Sequence, residues 1–468
     1  MEAGGEGEER PAGQESWDGL VDVDEKETLV FDESAREGEK SDLSSASFNV
    51  INSIIGSGII GLPYAMKQAG FPFGMLLLIL VAYVTDYSII LLIKGGNLSG
   101  TSTYQSLVNK AFGLTGYAIL SFLQFLYPFI AMVSYNIISG DVFSKVLQRI
   151  PGVGPENILA ERHFVILIVT LVLTLPLSMH RNIANLGKVS LSSLLLTFAI
   201  LIMVIVKAAT LGQNIPATEG AWDFIKPNAL QAMGVMVFAF VFHHNSFLIY
   251  GSLEEPTIHN WSCVSHVSVF LALIINMVFA ASGYGTFTGY TQGDLFENYC
   301  KDDNWATTGR CLFGLTVILT YPIECFVTRE VIGNLFFAGT LSTVCHVVVT
   351  ISIVAAVMAI SLFVDCLGIV LELNGVLGAT PLVFIIPTAC YLKLSEEPWN
   401  NWNKLQSWLI LIIGVLVMMA GFVMCVIYPQ PCSHGKEMFY CLPSNSSVYN
   451  VTVNETINQF PLFKTTIS

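Results

Sequence analysis

The sequence predicts an all-α polytopic membrane protein of eleven transmembrane helices, and three observations carry that expectation. Only 12% of its 468 residues are charged and 53% are hydrophobic, whereas a soluble domain carries about a quarter charged residues. The apolar residues gather into eleven runs of the length, roughly 18 to 20 residues or more, that a helix needs to cross a hydrocarbon core. Short polar stretches such as "SMHRNIANLGK" and "KLSEEPWNNWNK" separate the runs. A soluble protein with eleven buried helices would need a polar face on most of them, and "ILIVTLVLTLPL" has none.

In chain order, residues 1–43 come first. They hold fifteen of the 35 acidic residues and show no apolar periodicity, so they read as a disordered, acidic, cytosolic tail. No basic start leads into an apolar core there, which argues against a signal peptide. The negative charge argues against a nucleic-acid arm. Residues 44–428 form one transmembrane domain, with spans at about 44–69, 73–94, 116–146, 163–179, 184–210, 229–253, 263–290, 306–332, 341–364, 367–392 and 406–428. Residues 429–468 form a short polar tail with three acceptor sequons, at Asn445, Asn450 and Asn454. That cluster predicts a glycosylated extracellular or lumenal C-terminus, and an odd number of spans then leaves the N-terminus cytosolic. Lys and Arg near the spans lean the same way. Cys432 and Cys441 would share the oxidising side with Cys300. The expected bridge is Cys432–Cys441, ahead of Cys300–Cys311. The other six cysteines are expected inside spans as small apolar residues. The plasma membrane is expected ahead of lysosome or endosome. No residue pattern sets an oligomeric state.

Several activities lack their residues. "NIANLGKVS" lacks the leading glycine and the Ser/Thr after Lys188 that a phosphate loop requires. No H-E-x-x-H, G-x-S-x-G or C-x-x-C occurs, so neither an ATP-driven pump nor an enzyme is expected. No cofactor motif is found. Adjacent His243 and His244 would point about 100° apart on a helix, which makes a poor metal clamp.

What remains is movement or sensing of a solute by the bundle itself. In "NSIIGSGIIGLP", Asn52 to Pro63, the triplet Gly56-Ser57-Gly58 can open the first helix at mid-membrane. Irregular backbone survives there only against protein or a cavity. A half-helix beginning near Ile59 would offer N–H groups to a carboxylate, with Pro63 tolerated in its first turn. Carbonyls around Asn52 and Ile55 would favour a cation. Alone, such glycines more often let helices approach closely. The sixth span, however, is also interrupted, at His243-His244-Asn245-Ser246. Breaks at corresponding places of two five-helix halves are the pattern of an inverted-repeat secondary transporter.

The stretches "SFNVINSIIGSGIIGLPYAM", "FAFVFHHNSFLIYGSLEEP", "GLTVILTYPIECFVTREV" and "GATPLVFIIPTACYLKL" resemble the sodium-coupled neutral amino acid transporters, solute carrier family 38 of the amino acid/auxin permease group. The resemblance covers about residues 44–430. It implies a leucine-transporter-like fold, a five-plus-five inverted repeat with broken helices 1 and 6, that carries neutral amino acids together with sodium. It implies sodium ligands at Asn52 and Thr320. Residues Gly56, Ser57 and Gly58 would cradle the substrate carboxylate, and His243 would lie near its amine and side chain. Thr316 and Thr320 share a helical face at i, i+4, suiting two oxygen contacts to a hard cation, with bonding back to their own helix as the ordinary alternative. Phe240 would be a pocket wall, or plain packing, and Asn245 completes the candidate substrate set.

Two departures from the family pattern stand out. Many members have proline where this chain has His244, and the tenth span carries Glu372 and Asn374. A buried carboxylate is paired, protonated or a proton-coupling site, and Glu324 with Arg329 invites the same question or forms an interfacial pair. The expected function is sodium-coupled symport of small neutral amino acids by alternating access. The alternatives are an amino-acid sensor with little flux and a proton-coupled carrier.

Overall fold

A computed structural model describes residues 41–154, 156–180, 186–337, 341–429 and 437–442. Most of the acidic tail, Cys432 and the three sequons lie outside the described residues. The side chain of Asp42 caps the first helix, α1 (Leu43–Ile54), by accepting the Ser45 N–H at 3.0 Å. The helix stops because Ile55 (ψ 64°) and Gly56 (ψ −150°) leave helical geometry. A 3-10 turn at Ser57–Gly61 follows, then α2 (Leu62–Ala69) with Pro63 in its first turn. The two limbs of this span meet at 48°. The predicted break is therefore present, and the regular second limb starts at Leu62, a little later than Ile59.

Helix α3 (Phe71–Ser99) starts after Gly70, whose φ of 87° favours glycine. The next helical run, α4 (Tyr104–Leu147), is broken at Gly113 (φ 67°), so a short leading helix precedes the predicted third span. The fourth span consists of α5 (Arg162–Val169), a π turn at Thr170–Thr174 and α6 (Leu175–Ser178). Pro176 supplies no N–H, which accounts for a widened turn ahead of it. After α7 (Leu186–Leu211) comes the second broken span. Here α8 (Ala229–Phe240) ends where Val241 turns extended, a 3-10 turn holds His243–Asn245, and α9 (Ser246–Ser252) completes the crossing. Helices α10 (Ile258–Phe287), α11 (Asn304–Phe336) and α12 (Thr343–Phe363) follow. The tenth span runs from α13 (Leu367–Leu373) through π turns at Asn374–Ala379 and Pro381–Ile385 to α14 (Ile386–Leu394), and α15 (Trp402–Ile427) is last. Among the described residues this gives nine long apolar spans, or ten with the bent pair, against the eleven expected; the expected fourth span corresponds to the shorter apolar helix Arg162–Ser178. The π-widened tenth span was not anticipated.

The sixth and tenth spans are the hub, with 78% and 72% of their cores buried, against 28% for the fifth, ninth and eleventh. The hub closes on glycines. A Cβ on Gly58 would stand 2.6 Å from the Ala239 Cα, and one on Gly61 2.6 Å from Leu371. A Cβ on Gly375 would overlap the Gly234 carbonyl. Such close backbone approach is how helices associate where lipid offers no hydrophobic drive. The outer face is apolar instead: Leu405, Leu409, Ile412, Leu416, Met419 and Val423 are exposed along one stripe of α15.

The cysteine expectation is corrected. Cys300 pairs with Cys441, 141 residues later, with Cα atoms 5.4 Å apart. Cys311 is free and exposed on α11, because that helix begins at Asn304 and carries it away from the loop. Residues 437–442 instead fold back over the loop between α10 and α11. There Tyr440 Oη donates to Asn298 O at 2.8 Å, Glu437 accepts the Lys301 N–H at 3.0 Å, and Phe439 packs edge-on against Tyr290. Cys366 is also disulfide-bonded and lies in the turn between α12 and α13, not inside a span.

Candidate functional site

The two breaks lie side by side. Gly58 abuts Ala239 near the end of α8, while a Cβ on Gly56 would meet nothing within 4 Å. The glycines that the sequence treats as one cradle thus divide between two tasks: Gly58 is a close-packing residue, and Gly56 borders open space. Both breaks also expose polar atoms without partners. Asn52 Oδ1, His243 Nδ1 and His244 Nδ1 are buried and make no hydrogen bond among the described residues. Groups in that condition are costly and point to a ligand or solvent.

His243 is fully buried, with its Nε2 2.8 Å from Ser88 Oγ on α3. Ser88 spends its proton on Thr85 O at 3.1 Å. Ser88 thus engages Nε2, and Nδ1 is left without a partner among the described residues. His244 faces the Tyr127 ring of α4 at 5.5 Å, and Tyr127 also meets Phe238 at 5.8 Å. Asn245 closes its turn by donating its N–H to Phe242 O at 3.0 Å. Phe240 is fully buried. Ser88 and Tyr127 are the neighbours that the sequence did not single out, and His244, noted there only as part of the interruption, joins the site through the Tyr127 ring. A polar residue inside the second span was the available signal for Ser88, and Pro128 next to Tyr127 was the signal in the third.

The expected cation ligands are dispersed over two elements. Asn52 and Ile55 sit at the end of α1, and Thr316 and Thr320 lie on α11. Thr316 Oγ1 donates to Leu312 O at 3.0 Å, and Thr320 Oγ1 donates to Thr316 O and Val317 O at 3.0 and 3.1 Å. No hydrogen bond joins Asn52 to either threonine among the described residues. No Glu324–Arg329 pair is found among the described residues. Arg329 donates to Ser178 O, Thr350 Oγ1 and His180 O, and Glu324 keeps one buried oxygen without a partner.

Glu372 is fully buried on α13 and faces α2, and its neighbour Leu371 lies against Gly61 of the first break. Asn374 donates to Tyr127 O at 3.1 Å. Over the end of the bundle nearest α2, Lys67 Nζ donates to Thr291 O at 3.0 Å and Lys145 pairs with Glu297 at 3.2 Å. Asp294 is buried in the same loop, where burial and then nearby Glu297 push its carboxyl up to about 7.

A multi-pass bundle whose two interrupted spans meet at buried polar atoms defines a membrane transporter. Residues 39–427 match the family described as transmembrane amino acid transporter protein, and the chain belongs to that family. It is 63% identical to a cattle protein called "Putative sodium-coupled neutral amino acid transporter 11", with 92% of this chain and 93% of the relative covered. A zebrafish protein of the same name is 62% identical over 90% of this chain and 95% of its own. Vacuolar amino acid transporter 2 of Saccharomyces cerevisiae is 29% identical, covering 89% and 90%. Among solved structures, a manganese transporter of Eremococcus coleocola shares the fold at a TM-score of 0.52 and 14% identity, covering 90% of this chain and 91% of that one.

Proposed function

We propose that the protein is a sodium-coupled symporter of small neutral amino acids that works by alternating access between its two repeats. One observation carries the reading: the two breaks adjoin, and Asn52 Oδ1 and His243 Nδ1 are buried beside them without partners. In this reading the open backbone at Gly56 and Ser57 receives the substrate carboxylate. The His243 side, with Asn245 and Phe240, receives the amine and side chain. Sodium takes oxygens from Asn52, the Ile55 carbonyl, Thr316 and Thr320. Because both threonine protons are spent on their own helix, the hydroxyl lone pairs are free for a cation. The names of the cattle and zebrafish relatives support sodium coupling and neutral substrates.

The proposed placement is the plasma membrane, with residues 1–43 as a cytosolic tail and a glycosylated tail from 429 outside. The orientation is supported by parity: Cys300, Cys366 and Cys441 follow the seventh, ninth and eleventh expected spans, so all three share one side, and disulfides belong to oxidising compartments.

The test is electrogenic uptake by reconstituted protein over a panel of amino acids, with sodium and pH varied independently. Asn52→Ala and Thr320→Ala should each raise the sodium half-saturation about tenfold, as expected when roughly 1.4 kcal/mol of ligand contact is lost. Unchanged sodium titrations in both variants would remove the site assignment. Binding without flux would make the protein a sensor.

A further inference from the structure

Glu372 carries an arrangement that the sodium reading does not use. Tyr64 Oη donates to its Oε1 at 3.0 Å, Gln68 Nε2 donates to the same oxygen at 2.5 Å, and Cys425 Sγ donates to Oε2 at 3.6 Å. All three donors are neutral. An ionised carboxylate buried this deeply is held only while its donors stay in place. Two of them ride on α2, the short limb beyond the first break, whereas Cys425 is on α15 and Glu372 itself on α13. A second observation points the same way: Gln68 Oε1 is buried with no hydrogen-bond partner among the described residues. A carboxylic acid, unlike a carboxylate, needs an acceptor for its own proton. Gln68 offers both polarities within reach, its amide N–H₂ for the carboxylate and, after a half-turn of the amide, its oxygen for the acid.

We propose that Glu372 is a proton-binding site whose occupancy is set by the position of half-helix α2. The proposal rests on the alternating-access reading, since it requires α2 to move against α13. When α2 leaves, Glu372 loses two of its three donors but stays buried, and a proton from water binds one carboxylate lone pair, taking the charge from −1 to 0. When α2 returns, Tyr64 and Gln68 favour the anion and the proton departs to water. Proton binding and displacement of α2 therefore promote each other, as linkage requires. The other titratable groups around the site fit this assignment. Tyr64 faces Glu372 from α2 and Cys425 faces it from α15. The Lys67 ammonium, also on α2, is turned to Thr291 O and lies 5.8 Å from the Tyr64 ring. Tyr127 reaches the tenth span through its carbonyl, bonded to Asn374. Helix α8 packs against the cluster with Gly234 and has no titratable residue.

The experiment uses full-length protein in proteoliposomes. Amino-acid uptake is followed from pH 5 to 8, and a trapped pH dye reports substrate-driven proton movement. Glu372→Gln, which mimics the acid, should flatten the pH profile and abolish the dye signal, whatever rate remains. An unchanged profile in that variant overturns the proposal. If Glu372→Gln gives no uptake at all, Tyr64→Phe decides. Removing a donor to the anion raises proton affinity, so the midpoint of the wild-type profile should move upward by about one pH unit, and an unmoved midpoint overturns the proposal. Failure of the symport reading looks different: the wild-type protein would then show no amino-acid counterflow at any pH. In that case, proton uptake or release on substrate addition in weakly buffered detergent, present in the wild type and lost in Glu372→Gln, tests Glu372 alone.

Discussion

At the scale of single residues, the chain places polar atoms where lipid-facing protein has none, and each has a structural consequence. Ser88 fixes the His243 ring through Nε2, and Asn52 keeps its amide oxygen buried and unspent. These choices were half legible. Asn52, His243 and Glu372 announce themselves as polar residues inside apolar runs, but a sequence cannot say which neighbour satisfies them. Asp294 was not singled out at all, because an aspartate in a polar loop looks ordinary until the loop is seen to be buried. Its raised pKa makes a prediction. The folded protein holds this proton more tightly than the unfolded chain does. The contribution of Asp294 to stability is therefore full below about pH 4 and declines as pH rises toward about 7. Asp294→Asn should remove that slope from the thermal midpoint measured in detergent between pH 4 and 7. An identical slope in the variant would show that Asp294 does not titrate there.

At the scale of elements, two breaks and a widened helix organise the hub. The Gly-Ser-Gly and His-His-Asn interruptions could be foreseen because helix failure at glycine and at clustered polar residues is a local matter. The π turns of the tenth span could not, since Gly375 and Gly378 are widened against particular partners, Gly234 and Tyr127. The division of labour between Gly56 and Gly58 yields a paired prediction. Gly58→Val should cost about 1–3 kcal/mol by driving a side chain into the Ala239 backbone, read as a lower thermal midpoint. Gly56→Ala meets no atom and has a negative φ of −97°, so its midpoint should stay close to wild type. Equal midpoints in the two variants would refute the split.

At the scale of the whole molecule, residues 437–442 tie down the loop over the bundle. The Cys300–Cys441 bridge closes 141 residues, and Tyr440, Phe439 and Glu437 reinforce it with contacts to the same loop. Cys441→Ser should lower stability by about 2–4 kcal/mol and abolish the mobility difference between reduced and non-reduced samples that this crosslink produces on a denaturing gel. A variant that still shows Cys300 crosslinked would restore one of the pairings expected from the sequence.

By itself the sequence determined the solvent, the run of apolar helices and the two breaks at Gly56-Ser57-Gly58 and His243-His244-Asn245. Composition, run length and glycine chemistry act within a turn or two of chain, so they can be read in order. Tertiary structure alone decided which glycine packs and which borders space, which cysteine Cys300 finds, and that Tyr64 and Gln68 hold a carboxylate more than 300 residues away. Those outcomes depend on which helix faces which across the bundle, and one-dimensional pattern carries no record of that.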